Sequence, residues 1–356
     1  AQGGRILCLA QPQLPAWVPV RLGFWSTVRG IPEAFAEGGW QDRWREIYYS
    51  RHAPIYAPGH PVFRGLHGDL RWWQPSDGRV SDDSLARPAA TGAVAPGAWR
   101  ALAGGTRRES IGLAEVFVDR GLLLLCWLQV DGEAGENPEA RRLLANSLTY
   151  LAQETPARAD LRVVVLRADL ARQIERLTGA RLAVSKGVPT VGDARTLLLA
   201  GAGAKAADLL AWAARTGGTA LVLSAEVSGS LPGLTIERRD GVTYGACRGE
   251  DHPLFWGLAS CSFEDLERPA VTAAFTTWPE TARVLLRGRR APTPLATRGN
   301  LDIGFGGAIA LDEAGAAAVR LPVGKGTVIA TTIEPFDPES PHSAEILGHL
   351  LTNAGV

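Results

Sequence analysis

The sequence predicts an α/β protein of two tandem domains, each a doubly wound parallel sheet, the first cut short at its N-terminus. Three observations carry the prediction: an ordered internal repeat, a β-α-β-α-β succession in the second half, and a composition that fills two cores. The 356 residues are 46% hydrophobic and 21% charged, the balance of a globular chain. The 37 basic residues meet 37 acidic ones, which argues against a nucleic-acid surface. The best apolar run, Leu122 to Leu128, is strand-sized and too short to cross a bilayer. The chain does not open with a signal-peptide pattern.

The repeat decides the architecture. Gly3-Gly4 before an apolar strand recurs as Gly217-Gly218 before Thr219–Leu223. His60-Pro61-Val62-Phe63-Arg64-Gly65-Leu66 recurs as His252-Pro253-Leu254-Phe255-Trp256-Gly257-Leu258. Asp119-Arg120-Gly121 leads into Leu122–Leu125 as Gly324-Lys325-Gly326 leads into Thr327–Ala330. Pro138 with the helix Glu139–Leu151 matches Pro341 with the helix Ser343–Thr352. The offsets are 214, 192, 205 and 203 residues in unbroken order, and loop insertions account for the drift.

The second copy holds a stretch without counterpart in the first. Leu161–Leu166 reads as a central strand, and Ala168–Leu177 has helical spacing that ends near Gly179. Thr196–Ala200 is another apolar strand, and Ala204–Ala214 an Ala/Leu-rich helix that stops before Gly217. This order implies a parallel sheet with right-handed crossovers. The first copy begins at its Gly-Gly strand, so its first two βα units are expected upstream of residue 1. The absence of methionine agrees with a chain read as a piece of a larger protein. The domains are therefore placed at 1–154 and 160–356, with the polar link around Thr155-Pro156 between them.

These residues resemble class I glutamine-amidotransferase-like domains. More narrowly, they are similar to the versions found toward the C-terminal end of bacterial glycoside hydrolases of the β-galactosidase, family 2 type. The resemblance is carried by His60–Leu66, by Leu70-Arg71-Trp72-Trp73, by Leu122–Gln129 and by Asn137-Pro138-Glu139-Ala140-Arg141-Arg142-Leu143-Leu144-Ala145-Asn146. It implies flavodoxin-like or amidotransferase-like domains attached to a glycosidase in a structural or assembly role.

Catalytic residues are not found. An amidotransferase needs a Cys on a sharp strand-to-helix turn. The chain instead leaves its two candidate strands as Leu223-Ser224-Ala225-Glu226 and Leu9-Ala10-Gln11-Pro12, with Cys8 too early and inside the strand. A family 2 catalytic module needs two carboxylates across a cleft, commonly one in an Asn-Glu pair, and none of the four Asn precedes Glu. Asp82-Asp83 and Glu264-Asp265 read as solvated loop charges. Gly201-Ala202-Gly203 follows a strand and opens a helix, with Glu226 about 25 residues on, a dinucleotide-like spacing. It sits after the second strand of the unit, however, and small residues there also suit close packing. Cys8, Cys126, Cys247 and Cys261 form no Cys-x-x-Cys spacing, so no metal or cofactor is expected. A Cys247–Cys261 disulfide is compatible with export, and the sequence leaves it open.

His60, Gly65, His252 and Gly257 read as structural corners, because an active site would not be built twice. Proline restricts each histidine to extended or turn geometry, and the glycines supply a left-handed turn. The best candidate for ligand contact is the aromatic segment. Eight of the 11 tryptophans lie in the first 127 residues, and Trp40-x-x-x-Trp44-x-x-x-Tyr48 is interleaved with Arg45 and other charges. With Trp72 and Trp73, these side chains suit core packing, a protein interface or a sugar ring.

The expected function is a non-catalytic accessory region of a large bacterial glycoside hydrolase, serving domain packing, oligomer assembly or the rim of a substrate cleft. Its expected partners are an upstream catalytic domain of the same polypeptide, a second copy, and carbohydrate, with no nucleic acid and no membrane. The alternative is a stand-alone degenerate amidotransferase-like hydrolase or a nucleotide-binding α/β protein.

Overall fold

The computed structural model describes residues 3–10, 14, 18, 21–23, 53–68, 70, 84–86, 99–105, 110–118, 120–153, 160–242, 244–259, 262–263, 269–290, 312–340 and 342–356. The chain is mixed α/β with two sheets, divided between two compact units. Unit 1 comprises Ala1–Gly92, Gly97–Arg158 and Phe255–Leu258; unit 2 comprises Ala93–Pro96, Ala159–Leu254 and Ala259–Val356.

Unit 1 contains β1 (Arg5–Leu9), β2 (Arg21–Gly23), β3 (Ser84–Ala86), β4 (Trp99–Gly104), β5 (Ser110–Val118) and β6 (Gly121–Cys126). The helices α1 (Val130–Glu133) and α2 (Pro138–Ala152) follow. The sheet runs β1-β6-β5-β3-β2, with β4 also on β5. Among the described residues only β1 and β6 are parallel; the other pairs are antiparallel. Helix α2 starts where Asn137 Oδ1 accepts from the amides of Glu139 and Ala140, and Pro138 occupies the position where a missing N–H costs nothing. Its Ala140, Leu143 and Tyr150 face the core made by Leu122, Leu124, Cys126, Leu113 and Phe117.

Unit 2 contains β7 (Arg162–Leu166), α3 (Ala168–Thr178), β8 (Ala183–Ser185), β9 (Thr196–Ala200), α4 (Ala206–Thr216), β10 (Thr219–Leu223) and α5 (Ala225–Gly229). After these come β11 (Thr235–Glu237), β12 (Tyr244–Arg248), β13 (Ala274–Thr277), β14 (Arg283–Arg290), β15 (Asp312–Val323), β16 (Gly326–Thr331) and α6 (Ser343–Ala354). Five strands, in the order β8-β7-β9-β10-β16, are parallel; β15, β13 and β11 continue the sheet antiparallel, with β14 on β15 and β12 on β14. α4 buries Leu209, Trp212 and Ala213 against Ala220, Val328 and Val319. Gly217, at φ +79°, ends that helix in the left-handed conformation a β-carbon disfavours.

The parallel winding is thus narrower than expected from sequence, and both sheets are mixed. The cause is the connections. Two residues separate β5 from β6 and β15 from β16, and so short a link joins only antiparallel neighbours. One parallel strand pair recurs in the two units. Arg5–Leu9 pairs with Leu122–Cys126 as Thr219–Leu223 pairs with Thr327–Thr331, in the same register. Among the described residues no helix is long and apolar enough to cross a membrane.

Candidate functional site

The His-Pro segments are the most elaborate polar constructions in the structure. In unit 1, Pro61–Phe63 is a 3-10 turn capped by His60, whose Nδ1 accepts from the Val62 amide at 3.4 Å. That bond leaves the ring proton on Nε2, which faces Glu115 Oε1 at 3.3 Å. Gly65, at φ +73°, closes the turn; a β-carbon there would strike Arg142 Nη1, which donates to the Gly65 carbonyl. Asn146 on α2 donates to the carbonyls of Val62 and Arg64 at 3.1 and 2.9 Å.

Glu115 is the centre of the cluster. It lies on β5 directly across from Arg100 on β4. Its Oε2 accepts from Arg100 Nε at 3.0 Å and also from Nη2, while Oε1 accepts from the Tyr150 hydroxyl at 2.6 Å. The Arg100 guanidinium lies 5.2 Å from the Trp256 ring centroid and 5.8 Å from that of Phe117. His60 meets Tyr150 and Trp256 edge-on, with centroids 4.7 and 5.6 Å away. Burial pushes the Glu115 carboxyl up, but Arg100, His60 and the hydrogen bonds from His60 and Tyr150 outweigh it and hold it below the usual carboxylate range. Glu115 is 0% exposed and His60 and Arg100 1% each, so the set is closed to solvent.

The second His-Pro segment repeats the turn without a buried carboxylate on its histidine. His252 Nδ1 accepts from the Leu254 amide at 3.3 Å, and Asn353 Nδ2 donates to the Leu254 carbonyl at 3.1 Å. Burial and Arg320 lower the His252 pKa to about 4, with Asp251 opposing. Gly257 carries the matching positive φ of 85°.

The other candidates resolve as packing. Ser224, at the end of β10, is buried and caps its own helix, accepting from the Val227 amide. Ser228 is spent on the Thr331 backbone, and burial raises the thiol pKa of Cys8. A β-carbon at Gly201 would press on Leu170, and one at Gly203 (φ +80°) would collide with Arg167 Nη1. Arg167 itself donates to the Ala202 carbonyl and to both oxygens of Asp169. The small residues after β9 therefore seat an arginine and a leucine from the N-terminal end of α3.

Among the described residues no group of three His, Cys, Asp or Glu is placed to hold a metal. Cys247 carries a free thiol, and Cys261 lies outside the described residues. Trp40, Trp44, Arg45, Tyr48, Trp72 and Trp73 also lie outside them. Of the early tryptophans, Trp99 and Trp127 are described, and both are core residues. Glu115, Arg100, Tyr150 and Trp256 escaped the sequence reading. A usable signal existed: a lone carboxylate inside the apolar run Ile111–Val118 and a lone arginine inside Trp99–Gly104 are each expensive to bury without a partner.

No family model matches the chain, and no curated protein does. Among solved structures it is similar to the cold-adapted β-galactosidase of Rahnella sp. R3, at 13% identity and a TM-score of 0.29. That alignment covers 60% of this chain and 34% of the β-galactosidase, so the chain spans about a third of that protein's length. A likeness this low assigns neither fold nor activity.

Proposed function

We propose that the chain is a non-catalytic accessory region of a larger carbohydrate-active polypeptide, its two units being related amidotransferase-like domains that pack beside a glycosidase module. One observation carries the non-catalytic part. The most catalysis-like set of side chains, His60, Glu115, Arg100 and Tyr150, is sealed from solvent, and its members are occupied with one another and with the corner they hold. The same His-Pro corner with an Asn clamp in both units supports an architectural role, since a device made twice serves the fold.

The glycosidase association is supported by the sequence resemblance of His60–Leu66, Leu122–Gln129 and Asn137–Asn146. The nucleotide-binding alternative loses ground because Leu170 and Arg167 stand where a pyrophosphate would approach Gly201 and Gly203. The Trp40–Tyr48 segment with Trp72 and Trp73 is the proposed contact for a neighbouring module or a sugar.

The test is direct. The purified 356-residue chain, assayed with nitrophenyl glycosides and with glutamine, is expected to release neither nitrophenol nor ammonia. Turnover of either that Glu115→Gln abolishes would overturn the reading.

A further inference from the structure

Tyr244 begins β12 and is 1% exposed, yet among the described residues its hydroxyl has no hydrogen-bond partner. A buried hydroxyl left unmatched is destabilising, and phenylalanine would fill the same space without it. Arg290, at the end of β14, stands directly across from Tyr244 in the β12–β14 ladder, so the two side chains share a face of the sheet.

Arg290 leads from Tyr244 into a polar cluster. Its Nη1 donates to Glu237 Oε1 at 3.3 Å, and Arg239 Nε meets the same oxygen. Val271 forms bridges to both Tyr244 and Ile333, which brings Glu334 to the same end of the sheet. There Glu334 Oε1 accepts from the Ala225 amide at 3.0 Å and from Arg238 Nη2 at 3.5 Å. Burial raises the Tyr244 pKa, and the charges of Glu237, Arg290 and Arg239 also act on the hydroxyl, as its place beside this cluster requires.

Most of the hydrogen-bonding capacity here is unspent. A guanidinium offers five N–H donors, yet Arg238, Arg239 and Arg290 each meet a carboxylate through one nitrogen. Glu237 and Glu334 use Oε1 alone, and among the described residues Oε2 of each has no partner. These five side chains are all partly exposed.

The balance of charge selects the ligand. Asp240 follows Arg239 in the chain, and Asp312 takes the register position opposite Arg290, so acidic and basic residues nearly cancel. An anion is repelled by the carboxylates and a cation by the guanidiniums. A neutral hydroxyl suits both, because it donates one hydrogen bond and accepts two.

We propose that Tyr244, Arg239, Arg290 and Glu237, with Arg238 and Glu334 beside them, form a binding site for a neutral sugar. Ring hydroxyls accept from the guanidiniums and donate to the free carboxylate oxygens. The Tyr244 hydroxyl gains its partner when Arg290, held by a single nitrogen, turns toward the ligand. The site follows from donors and acceptors within unit 2 and does not depend on the accessory reading.

The test titrates the 356-residue chain with D-galactose, D-glucose, D-mannose and D-xylose, and with inorganic phosphate and D-glucuronate as ionic probes. The arginine Nε–Hε signals are followed by NMR. At least one neutral sugar is expected to shift the Arg239 and Arg290 signals saturably. Tyr244→Phe is expected to weaken that binding about fivefold or more, yet to raise the melting temperature of the sugar-free chain by about 2–4 °C.

No saturable shift with any of the four sugars would overturn the proposal. Tighter binding of phosphate or glucuronate would do the same, because the site would then be one for anions. So would a Tyr244→Phe chain that binds sugar unchanged, or one that melts lower because the hydroxyl is matched within the protein. Glycosidase activity in the 356-residue chain would sink the accessory reading and leave this site standing.

Discussion

Glu115 and Arg320 occupy the same place in the two units and carry opposite charge. Glu115 stands opposite Leu124 on β6, and Arg320 opposite Ile329 on β16; those two partners are themselves equivalent, pairing with Leu7 on β1 and Leu221 on β10. Glu115 lies 3.3 Å from His60, and the charge of Arg320 helps to lower the pKa of His252. One position thus holds a buried anion beside the histidine in unit 1 and an exposed cation in unit 2.

The ionic corner is costly to break and inexpensive to replace. Glu115→Gln or Arg100→Leu leaves a buried charge without its counter-charge, and each is expected to destabilise the chain by about 3–5 kcal/mol. The double variant Arg100→Leu/Glu115→Leu should cost clearly less than the two single losses combined. Denaturant titration of the four proteins measures the coupling.

The two clamps should respond in proportion to their burial. Asn353→Ala leaves the Leu254 carbonyl short of a donor at a fully buried site, at a cost of about 1–3 kcal/mol. Asn146→Ala takes donors from Val62 and Arg64 at a half-exposed position and should cost about 1 kcal/mol. Equal losses in thermal melts would contradict this ranking.

Acid should act on the two corners at different pH. His252 is neutral in the folded chain down to about pH 4, whereas in the unfolded chain it takes up a proton near 6.5. The unfolded state binds more protons between those values, so stability falls as pH drops from 6.5 to 4, by at most about 3 kcal/mol. His252→Asn keeps an acceptor for the Leu254 amide and should flatten that slope. Glu115, with its folded pKa depressed, contributes fully above the unfolded value of 4.5, and that contribution declines as pH falls below it. Glu115→Gln should remove this lower limb alone. Stability profiles from pH 3 to 8 separate the two limbs.

Arg167 bears the one positive φ among the described non-glycine residues, at 86°. Its ion pair with Asp169 is about half exposed and worth little. Arg167→Gly relieves a backbone strain of about 1–3 kcal/mol and should leave the chain unchanged or about 1 kcal/mol more stable. A loss above 1 kcal/mol would mean that the guanidinium over Gly203 does more than fill space.

Much of the frame was legible in the residues themselves. Leu161–Leu166, Thr196–Ala200 and Thr219–Leu223 read as strands because continuous branched apolar runs bounded by turns have few other uses, and β7, β9 and β10 lie there. The helix after Pro138 was marked by its match to the one after Pro341. His60 and His252 stood out because they repeat. Short strands such as Ala183–Ser185 and Thr235–Glu237 left no such mark, being too brief and too polar to show a period.

Sequence by itself determined the strand–helix succession from Leu161 to Leu223, the recurrence of the Gly-Gly and His-Pro motifs, and the absence of a cysteine after either Gly-Gly strand. Tertiary structure alone decided that both sheets are mixed and that Glu115 meets Arg100, His60 and Tyr150. The physical reason is range. Periodicity and capping are properties of adjacent residues, whereas strand partners and buried counter-charges are chosen among residues far apart in the chain, by burial and by the geometry of the links between them.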